Sequence, residues 1–255
     1  MNSDSFAFMF RIFINTLIIL VLTVLTQVGG LAWGIALFFK KRLISFVVAY
    51  AALSLAAIWI APQFGRVALS CTEDGPLQVQ SWMYCVLNRN YVSPELADVL
   101  QDAANKMDRQ YPGTTTLVLD ANFPFLNGFP LPPHLSHDDG EKADLAFYYA
   151  EDGSYLNGAT RSPIGYFAFE QSSTNCPKRW PTLRWDFDFL QPLWRSYSID
   201  RQRIRSVLIV LSEDDRVGKI FVEPHLAKSL HVSGPKIRSQ GCRAARHDDH
   251  IHFQL

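Results

Sequence analysis

The sequence lacks an excess of either charge, because its 255 residues carry 24 Lys and Arg side chains against 24 Asp and Glu side chains. Nucleic-acid binding depends on a surplus of basic side chains that neutralise phosphates. The balance therefore gives no reason to expect a nucleic-acid partner. A partner must be inferred from local features of the sequence.

Charged side chains are also missing from residues 12–39, which run through Leu, Ile, Val and Phe. A transporter or channel would place ionisable side chains within its membrane spans, so this absence argues against that class. Two apolar runs, residues 9–39 and 43–62, are each long enough to cross a bilayer, which takes about 20 apolar residues. We therefore expect residues 1–62 to form a membrane anchor made of a two-helix transmembrane hairpin.

Two other interpretations of the apolar runs are weaker. A cleaved signal peptide would need a more basic start than Arg11 provides and a small-residue cleavage site, and the second run would still retain the protein. A hairpin buried in the core of a soluble protein is also disfavoured, because residues 9–62 contain only four charged side chains, all of them basic. Cytoplasmic loops are enriched in Lys and Arg, so the basic cluster Lys40, Lys41 and Arg42 places both chain ends and the large domain outside the cytoplasm.

The four cysteines include no C-x-x-C pair, which disfavours a cysteine zinc site. An even number of cysteines in an extracytoplasmic domain is typical of disulfides. Four cysteines allow three pairings. We favour Cys71 with Cys85 and Cys176 with Cys242, because the first two are close in sequence and bracket the link from the membrane.

Beyond the anchor, residues 63–112 are expected to form a linker and helical lead-in, and residues 113–255 a single domain. Ser93, Pro94 and an apolar repeat predict a helix over residues 93–110. The remaining segments are strands at 114–120, 143–150, 164–169, 219–222 and 249–255, short helices at 187–197 and 224–230, and a segment at 204–211 that suits a strand or a buried helix. This mixture without a regular βαβ rhythm predicts an α+β fold, with a small mixed sheet and flanking short helices.

Two polar clusters in the domain carry the chemistry, and the first is residues 136–144. In it His137 precedes a turn at Gly140, and Asp144 lies at the start of a predicted strand. Histidine and carboxylate are both ordinary zinc ligands, and a loop ligand can converge with a strand ligand. A solvated turn is the other interpretation of these residues.

The second cluster, residues 247–252, reads His-Asp-Asp-His-Ile-His. Residues two apart on a strand share a face, so His250 and His252 are expected to project together while Ile251 faces the core. A cation-rich surface strand is the alternative. The remaining histidines are expected in loops or at the surface: His134, His225 and His231.

The motifs of other hydrolase classes are missing from the sequence. There is no H-E-x-x-H helix, which excludes a thermolysin-like arrangement, and no G-x-S-x-G turn for a serine nucleophile. The cysteines are better explained by disulfides than by nucleophilic catalysis. The first cluster offers one His and one Asp as ligands, and the second offers one His. Three protein ligands with an open position for water are the stoichiometry of catalytic zinc.

The spacing of Ser136, His137, Gly140 and Asp144, together with the tail at residues 247–252, resembles that of penicillin-insensitive murein endopeptidases. These belong to the wider zinc metallopeptidases that include lysostaphin, D-alanyl-D-alanine peptidases and hedgehog domains. The likeness extends over roughly residues 114–255 through two further segments: Gly241-Cys242-Arg243, and Gly218-Lys219-Ile220-Phe221-Val222 followed by Glu223-Pro224.

The resemblance implies that His137, Asp144 and His252 bind zinc, while His250 and His247 stand beside the metal-bound water as catalytic residues. It further implies a metallopeptidase that hydrolyses peptide cross-links of bacterial peptidoglycan. The anchor would then place it in the inner membrane with its catalytic domain on the periplasmic side. The alternative from another class is a non-catalytic, zinc-binding domain that binds or scaffolds the cell wall. The intact ligand positions argue against this alternative, because a domain that had lost its activity would not need to keep all three ligands.

Overall fold

The computed structural model of the chain describes residues 3–165, 167, 169–170, 176, 184 and 187–255. The chain mixes helices and sheet, as expected of an α+β fold, and two apolar helices lie in its N-terminal region. The α-helices are α1 (Ser3–Thr26), α2 (Gly29–Ala36), α3 (Arg42–Ile60), α4 (Trp82–Val86), α5 (Pro94–Gln110), α6 (Arg201–Glu213) and α7 (Pro224–Ser229), with 3₁₀ helices at Ala61–Phe64 and Asp188–Leu193. The strands are β1 (Val67–Ala68), β2 (Leu77–Val79), β3 (Tyr91–Val92), β4 (Thr116–Val118), β5 (Lys142–Ala146), β6 (Tyr149–Glu151), β7 (Ser154–Leu156), β8 (Ser198–Ile199), β9 (Lys219–Phe221), β10 (Ile237–Arg238) and β11 (His250–Gln254).

A six-stranded mixed sheet forms the centre of the domain, with strand order β10-β9-β11-β5-β4-β2. Strand β11 pairs antiparallel with both β9 and β5, and β4 pairs antiparallel with β5. The edge strands β10 and β2 pair in parallel with their neighbours. A second, antiparallel sheet has the order β7-β6-β8. The innermost strands of the main sheet are thus β11 and β5, which come from distant parts of the sequence.

Helix α5 is the predicted helix at residues 93–110, and its start follows from the sequence. Ser93 Oγ accepts a hydrogen bond from Leu96 N at 3.2 Å, and Pro94 occupies the first turn, where no intrahelical N–H is needed. The buried side chains of α5 recur at helical spacing: Leu96, Val99, Leu100, Ala103, Ala104 and Met107. This apolar face packs in one core with the main sheet.

Helix α6 settles the ambiguous segment at residues 204–211, which is helical. Asp200 caps the helix, because its carboxylate accepts a hydrogen bond from Arg203 N at 3.0 Å. The apolar side chains that share its buried face are Ile204, Val207, Leu208 and Leu211. They join the core that α5 forms with the sheet, so both helices cover the same face of the sheet.

Two predicted strands differ from the structure. The predicted strand at residues 143–150 is two strands, because β5 ends at Ala146 in the main sheet and β6 begins at Tyr149 in the second sheet. Residues 164–169 contain no strand among the described positions, and Tyr166 and Ala168 lie outside the described residues. The other predicted short elements are present within narrower bounds: β4, the 3₁₀ helix at 188–193, β9, α7 and β11.

Both favoured disulfides are present, Cys71–Cys85 and Cys176–Cys242. The first joins the segment that follows the apolar helices to α4. The second joins the middle of the domain to the chain ahead of β11. Disulfides persist in oxidising compartments, so both bonds are consistent with the expected extracytoplasmic domain.

The N-terminal region contains two helices long and apolar enough to cross a membrane, α1 and α3. The first apolar run, residues 9–39, is nevertheless not one helix. Helix α1 ends at Thr26, Gln27 has a positive φ of 64°, and α2 runs back along α1. Trp33 Nε1 of α2 donates a hydrogen bond to Asn15 Oδ1 of α1 at 3.1 Å. Three helices therefore replace the expected hairpin of two.

Two glycines permit this reversal of the chain. A Cβ atom at Gly30 would lie 1.9 Å from Thr23 Oγ1, and one at Gly29 would lie 2.6 Å from Thr26 Oγ1. Only glycine allows the two helix backbones to approach so closely. The Gln-Val-Gly-Gly stretch at residues 27–30 was the sequence signal of the break, inside a run that is otherwise continuously apolar.

Helix α3 runs in the same direction as α1. The rings of Trp33 and Phe46 are 5.6 Å apart, so the chain turns after α2 and returns along it. Phe125 of the domain contacts both C-terminal ends: its N–H donates to Gln27 Oε1 at 2.9 Å, and its ring lies 5.2 Å from that of Phe64, just after α3. The start of α1 and the basic cluster thus lie at the end of the helices away from the domain. A simple hairpin would instead have the start of α1 at the same end as the domain.

Arg66 joins the end of the apolar helices to the loop that contains His137. It is fully buried, and its guanidinium donates through Nη1 to Phe123 O at 2.6 Å and through Nη2 to Asn127 Oδ1 at 2.5 Å. The Arg66 side chain passes over Gly140, where φ is 89° and a Cβ atom would lie 2.4 Å from Arg66 Nε. The predicted turn at Gly140 therefore also makes room for Arg66.

We expect Gly140→Ala to lower the free energy of unfolding of the full-length protein by more than Gly128→Ala does. Both glycines have a positive φ, which costs an L-residue about 1–2 kcal/mol. A Cβ atom at Gly128 would meet no atom within 4 Å, so that variant is the matched control. Urea denaturation measures the difference, and equal losses would mean that Arg66 yields its position without cost.

Candidate metal centre

The candidate site lies where β5 and β11 pair, on the face of the main sheet opposite the core formed with α5 and α6. His252 and Asp144 are directly opposed in the antiparallel register, so their side chains are neighbours on one face. Ile251 and Phe253 alternate to the other face and are fully buried in the core. His250 shares the face of His252, as the two-residue period of a strand predicts.

His137 reaches the same point from the loop between β4 and β5. Its Nδ1 donates a hydrogen bond to Ala121 O at 2.7 Å, so Nδ1 carries the hydrogen and Nε2 faces the sheet. His137 Nε2 lies 3.0 Å from His252 Nδ1 and 3.3 Å from Asp144 Oδ1. His252 Nδ1 lies 2.8 Å from the same oxygen of Asp144. The structure therefore brings the three predicted ligands together as a triangle of ligand atoms.

This ligand triangle has about the size of one face of a metal coordination sphere. Tetrahedral zinc with bonds of about 2.0–2.1 Å separates its ligand atoms by roughly 3.3 Å. Asp144 Oδ1 is an acceptor, and each of the two facing imidazole nitrogens can offer a lone pair once its ring is neutral. His252 Nε2 is buried and has no hydrogen-bond partner among the described residues. A cation at the centre would satisfy all three facing atoms, so these residues fit a metal.

His134 lies in a loop, which was one of the two expectations for it, but it is not at the surface. Its exposed fraction is 4%, its Nε2 donates to Ile164 O at 3.0 Å, and its Nδ1 contacts the second carboxylate oxygen of Asp144. His134, His137 and Asp144 could hold a metal ion, because one ligand atom from each lies within 4.8 Å of the others. The H-x-x-H spacing of residues 134–137 was the signal in the sequence, since it places two histidines on one short loop.

His250 and His247 complete the cluster. His250 Nδ1 donates to Asp249 Oδ1 at 2.7 Å, which directs Nε2 into the site, 3.9 Å from Asp144 Oδ1. The ring of His247 is buried, with its centroid 5.1 Å from that of His250 and 5.5 Å from that of His252. Both predicted catalytic histidines therefore lie beside the predicted ligands. The two remaining histidines lie outside the cluster with at least partial exposure, as expected: His225 and His231.

Burial and neighbouring charges give the three ligands different pKa values. Burial alone would raise the pKa of the Asp144 carboxyl, but the positive field of the surrounding histidines, His137 first, outweighs burial and holds this pKa well below its ordinary value. Burial lowers the pKa of His252 to about 4, against the opposing bond to Asp144. For His137 the nearby carboxylate outweighs burial and raises the pKa. An ionised carboxylate and neutral imidazoles are the metal-binding forms, so a metal would displace a proton from His137.

The two predicted catalytic histidines are shifted in opposite directions. Burial lowers the pKa of His247 well below its ordinary value, and the neighbouring His250 and His252 add to this effect. Burial also acts to lower the pKa of His250, but the charge of Asp144 and the hydrogen bond to Asp249 outweigh it and raise the pKa to about 9. The site therefore contains one histidine that favours the neutral form and one that favours the protonated form. Such a pair suits general base and general acid roles.

A buried ion pair supports the site. Arg89 donates through Nε to Asp120 Oδ1 at 3.0 Å and through Nη2 to the other oxygen, and its Nη1 donates to Pro132 O at 2.7 Å. Asp120 Oδ2 lies 3.7 Å from His134 Nε2, and Asp120 O accepts a hydrogen bond from Asp144 N at 2.9 Å. The pair thus fixes the end of β4 and the following loop beside two residues of the cluster.

The arrangement as a whole could hold one cation next to two histidines of opposite proton preference, all of them buried. Buried groups of His and Asp are not specific to one reaction, so the geometry alone defines a metal-binding type of site. No protein-family model matches this chain, and no curated protein matches it in sequence.

We expect Arg89→Met to destabilise the fold by about 3–5 kcal/mol, because the carboxylate of Asp120 would then be buried without its counter-ion. The double variant Arg89→Met/Asp120→Asn should recover much of this loss, since no uncompensated charge remains. Urea unfolding of the wild type and both variants measures the effect. A double variant no more stable than Arg89→Met would contradict the ion-pair explanation.

Proposed function

We propose that this chain is a membrane-anchored zinc metallopeptidase that hydrolyses peptide cross-links of bacterial peptidoglycan, with His137, Asp144 and His252 as the metal ligands. The observation that carries the proposal is the ligand triangle, whose sides are 2.8, 3.0 and 3.3 Å. The resemblance of the residue pattern to penicillin-insensitive murein endopeptidases supplies the reaction and the substrate class.

His134 is the competing third ligand, and the contacts favour His252. His252 Nδ1 and His137 Nε2 both approach the same oxygen of Asp144, as ligands around one ion do. His134 Nδ1 instead meets the second oxygen of Asp144, while its Nε2 is bonded to Ile164 O. We therefore assign His134 to holding the Asp144 carboxylate in place.

Zinc in the ligand triangle would supply a Lewis acid and lower the pKa of a water in its open position toward neutrality. The hydrogen bond of His250 Nδ1 to Asp249 fixes the ring with Nε2 on the side of Asp144. We assign His250 Nε2, which lies 3.9 Å from Asp144 Oδ1, to exchange of a proton with the leaving amine. His247, which favours the neutral form, suits acceptance of a proton or a hydrogen bond from the transition state.

The anchor part of the proposal is that α1 and α3 cross the bacterial inner membrane and hold the domain on the periplasmic side. Both helices are long and apolar enough to span a bilayer. The basic cluster lies at the end of the helices away from the domain, which suits the cytoplasmic side of a membrane. The two disulfides suit the oxidising periplasm.

Metal analysis tests the ligand set. Full-length protein folded with added zinc should contain about one zinc per chain, and His137→Ala, Asp144→Ala and His252→Ala should each lose it, since two protein ligands make a poor zinc site. His134→Ala should retain zinc. Plasma mass spectrometry measures the content. Loss in His134→Ala with retention in His252→Ala would move the third ligand to His134, and zinc in every variant would place the site elsewhere.

Activity measurements test the role of His250. His250→Ala should keep its zinc but lose hydrolysis of cross-linked muropeptides by about 10²- to 10⁴-fold, because a positioned acid or base contributes a factor of this size. The matched control is His231→Ala, an exposed histidine outside the cluster, which should leave both measurements unchanged. A wild-type protein that holds zinc and releases no muropeptide would instead favour the non-catalytic scaffold.

Reporter fusions test the membrane arrangement. A reporter fused before Met1 should report the cytoplasm and one fused after Leu255 the periplasm, because α1 and α3 run in the same direction and end at the domain. A simple two-helix hairpin would place both reporters in the periplasm. Cytoplasmic reporters at both ends would contradict the periplasmic placement of the domain.

A further inference from the structure

A groove of about 650 Å³ separates α3 from the domain, and its lining contains no residue of the ligand triangle. One wall is the second half of α3, including Ala51, Leu55 and Ile58. The other wall contains the Cys71–Cys85 disulfide and the residues beside it. The volume lies within the range of about 300–1,000 Å³ that is usual for small-ligand pockets.

Specific hydrogen bonds hold this groove open at one end. Tyr50 Oη of α3 donates to Val86 O of the domain. Asn88 Nδ2 donates to Tyr50 Oη and to Ser54 Oγ, each at 3.2 Å. Because Asn88 is buried, these bonds fix the distance between α3 and the turn after α4. The polar groups at this end are bonded to one another, which leaves mainly aliphatic and sulfur atoms facing the space.

The lining of the groove contains no Asp, Glu, Lys, Arg or His side chain. An anionic headgroup, a nucleotide or a charged peptide would require at least one such partner to offset the loss of hydration. An uncharged, flexible, apolar ligand requires none. The chemistry of the walls therefore fits a hydrocarbon chain.

The surface around the groove continues this apolar character. On α3 the exposed fractions of Leu55 and Trp59 are 63% and 81%, and on α4 that of Trp82 is 73%. Contiguous exposed apolar patches mark contact with another apolar phase, and Trp is enriched at the interface between membrane and water. Helix α3 itself is long and apolar enough to cross a bilayer. The medium next to the open side of the groove is then lipid.

We propose that the groove binds one acyl chain of a bilayer phospholipid, and that this chain fills the space between α3 and the disulfide-bonded part of the domain. The inference rests on the membrane anchoring in the proposed function and is independent of its zinc chemistry. A lipid in this position would contact both α3 and the disulfide-bonded segment, beside the hydrogen bonds of Tyr50 and Ser54 and the packing of Ala57 against Tyr91.

Photo-crosslinking from the membrane tests the proposal. The full-length chain is reconstituted in phosphatidylethanolamine and phosphatidylglycerol vesicles that contain phosphatidylcholine with a diazirine on one acyl chain. After irradiation, labelled peptides are mapped by mass spectrometry. We expect label on α1 and α3 and also on residues 68–72 and 85–91, which belong to the domain side of the groove. Domain residues that stand clear of the bilayer would receive no label.

Groove-filling variants provide the control. Ala51→Trp and, separately, Leu55→Trp should abolish labelling of residues 68–72 and 85–91, while Val48→Trp, at an exposed position of α3 outside the groove, should leave it intact. Label on α1 and α3 without label on residues 68–72 and 85–91 in the wild type would overturn the proposal, as would occupation by a second copy of the chain, which shields those residues. Persistent domain labelling in both filled variants would overturn it as well. Absence of label everywhere would refute the membrane anchor, whereas zinc content and muropeptide hydrolysis of the same sample report separately on the enzyme.

Discussion

The carboxylate of Asp144 is the charge around which the domain is organised. It is fully buried at the centre of the main sheet, where an ionised carboxylate is strongly unfavourable unless opposite charge or hydrogen-bond donors surround it. Three histidines contact the carboxylate: His252 on the neighbouring strand, and His137 and His134 on one loop. Each ring of the loop pair is oriented by a backbone carbonyl on its other nitrogen. Stabilisation of this one buried charge therefore depends both on the register of β5 with β11 and on the path of the loop.

The same loop is held from the side of the apolar helices. Arg66 follows α3 closely and is bonded to the chain ahead of His137, while Gly140 leaves the space through which its side chain passes. Phe125, in the same stretch, contacts the ends of both long apolar helices. The ligand loop is thus fixed between the sheet and the N-terminal helices. A displacement of these helices would reach the ligands through two or three bonded side chains.

Residue patterns predicted the parts of the structure that depend on local physics. Strand periodicity placed His250 and His252 on one face, and the cap at Ser93 with an apolar repeat gave α5. Patterns did not show the reversal at Gln27, because α1 and α2 are equally apolar and the break depends on close packing of glycines against α1. They also missed His134 as a member of the cluster, since a histidine directly after two prolines is expected in a loop, and only tertiary structure places its ring against Asp144. In both cases the side chain or turn is buried by a segment that lies elsewhere in the sequence, and local residue patterns do not show such contacts.

The pairing of Asp144 with His252 joins residues 108 positions apart in sequence. Contacts of such separation close a long loop at an entropic cost and tend to form slowly. Before β11 inserts between β5 and β9, both of these strands have unpaired edges that can associate with other chains. A partly synthesised or partly translocated chain accordingly has neither a complete sheet nor a complete set of ligands. Hydrolytic activity of the proposed kind would therefore appear only after β11 has paired with β5 and β9. An ion bound by residues of both β5 and β11 would then slow the separation of these two strands.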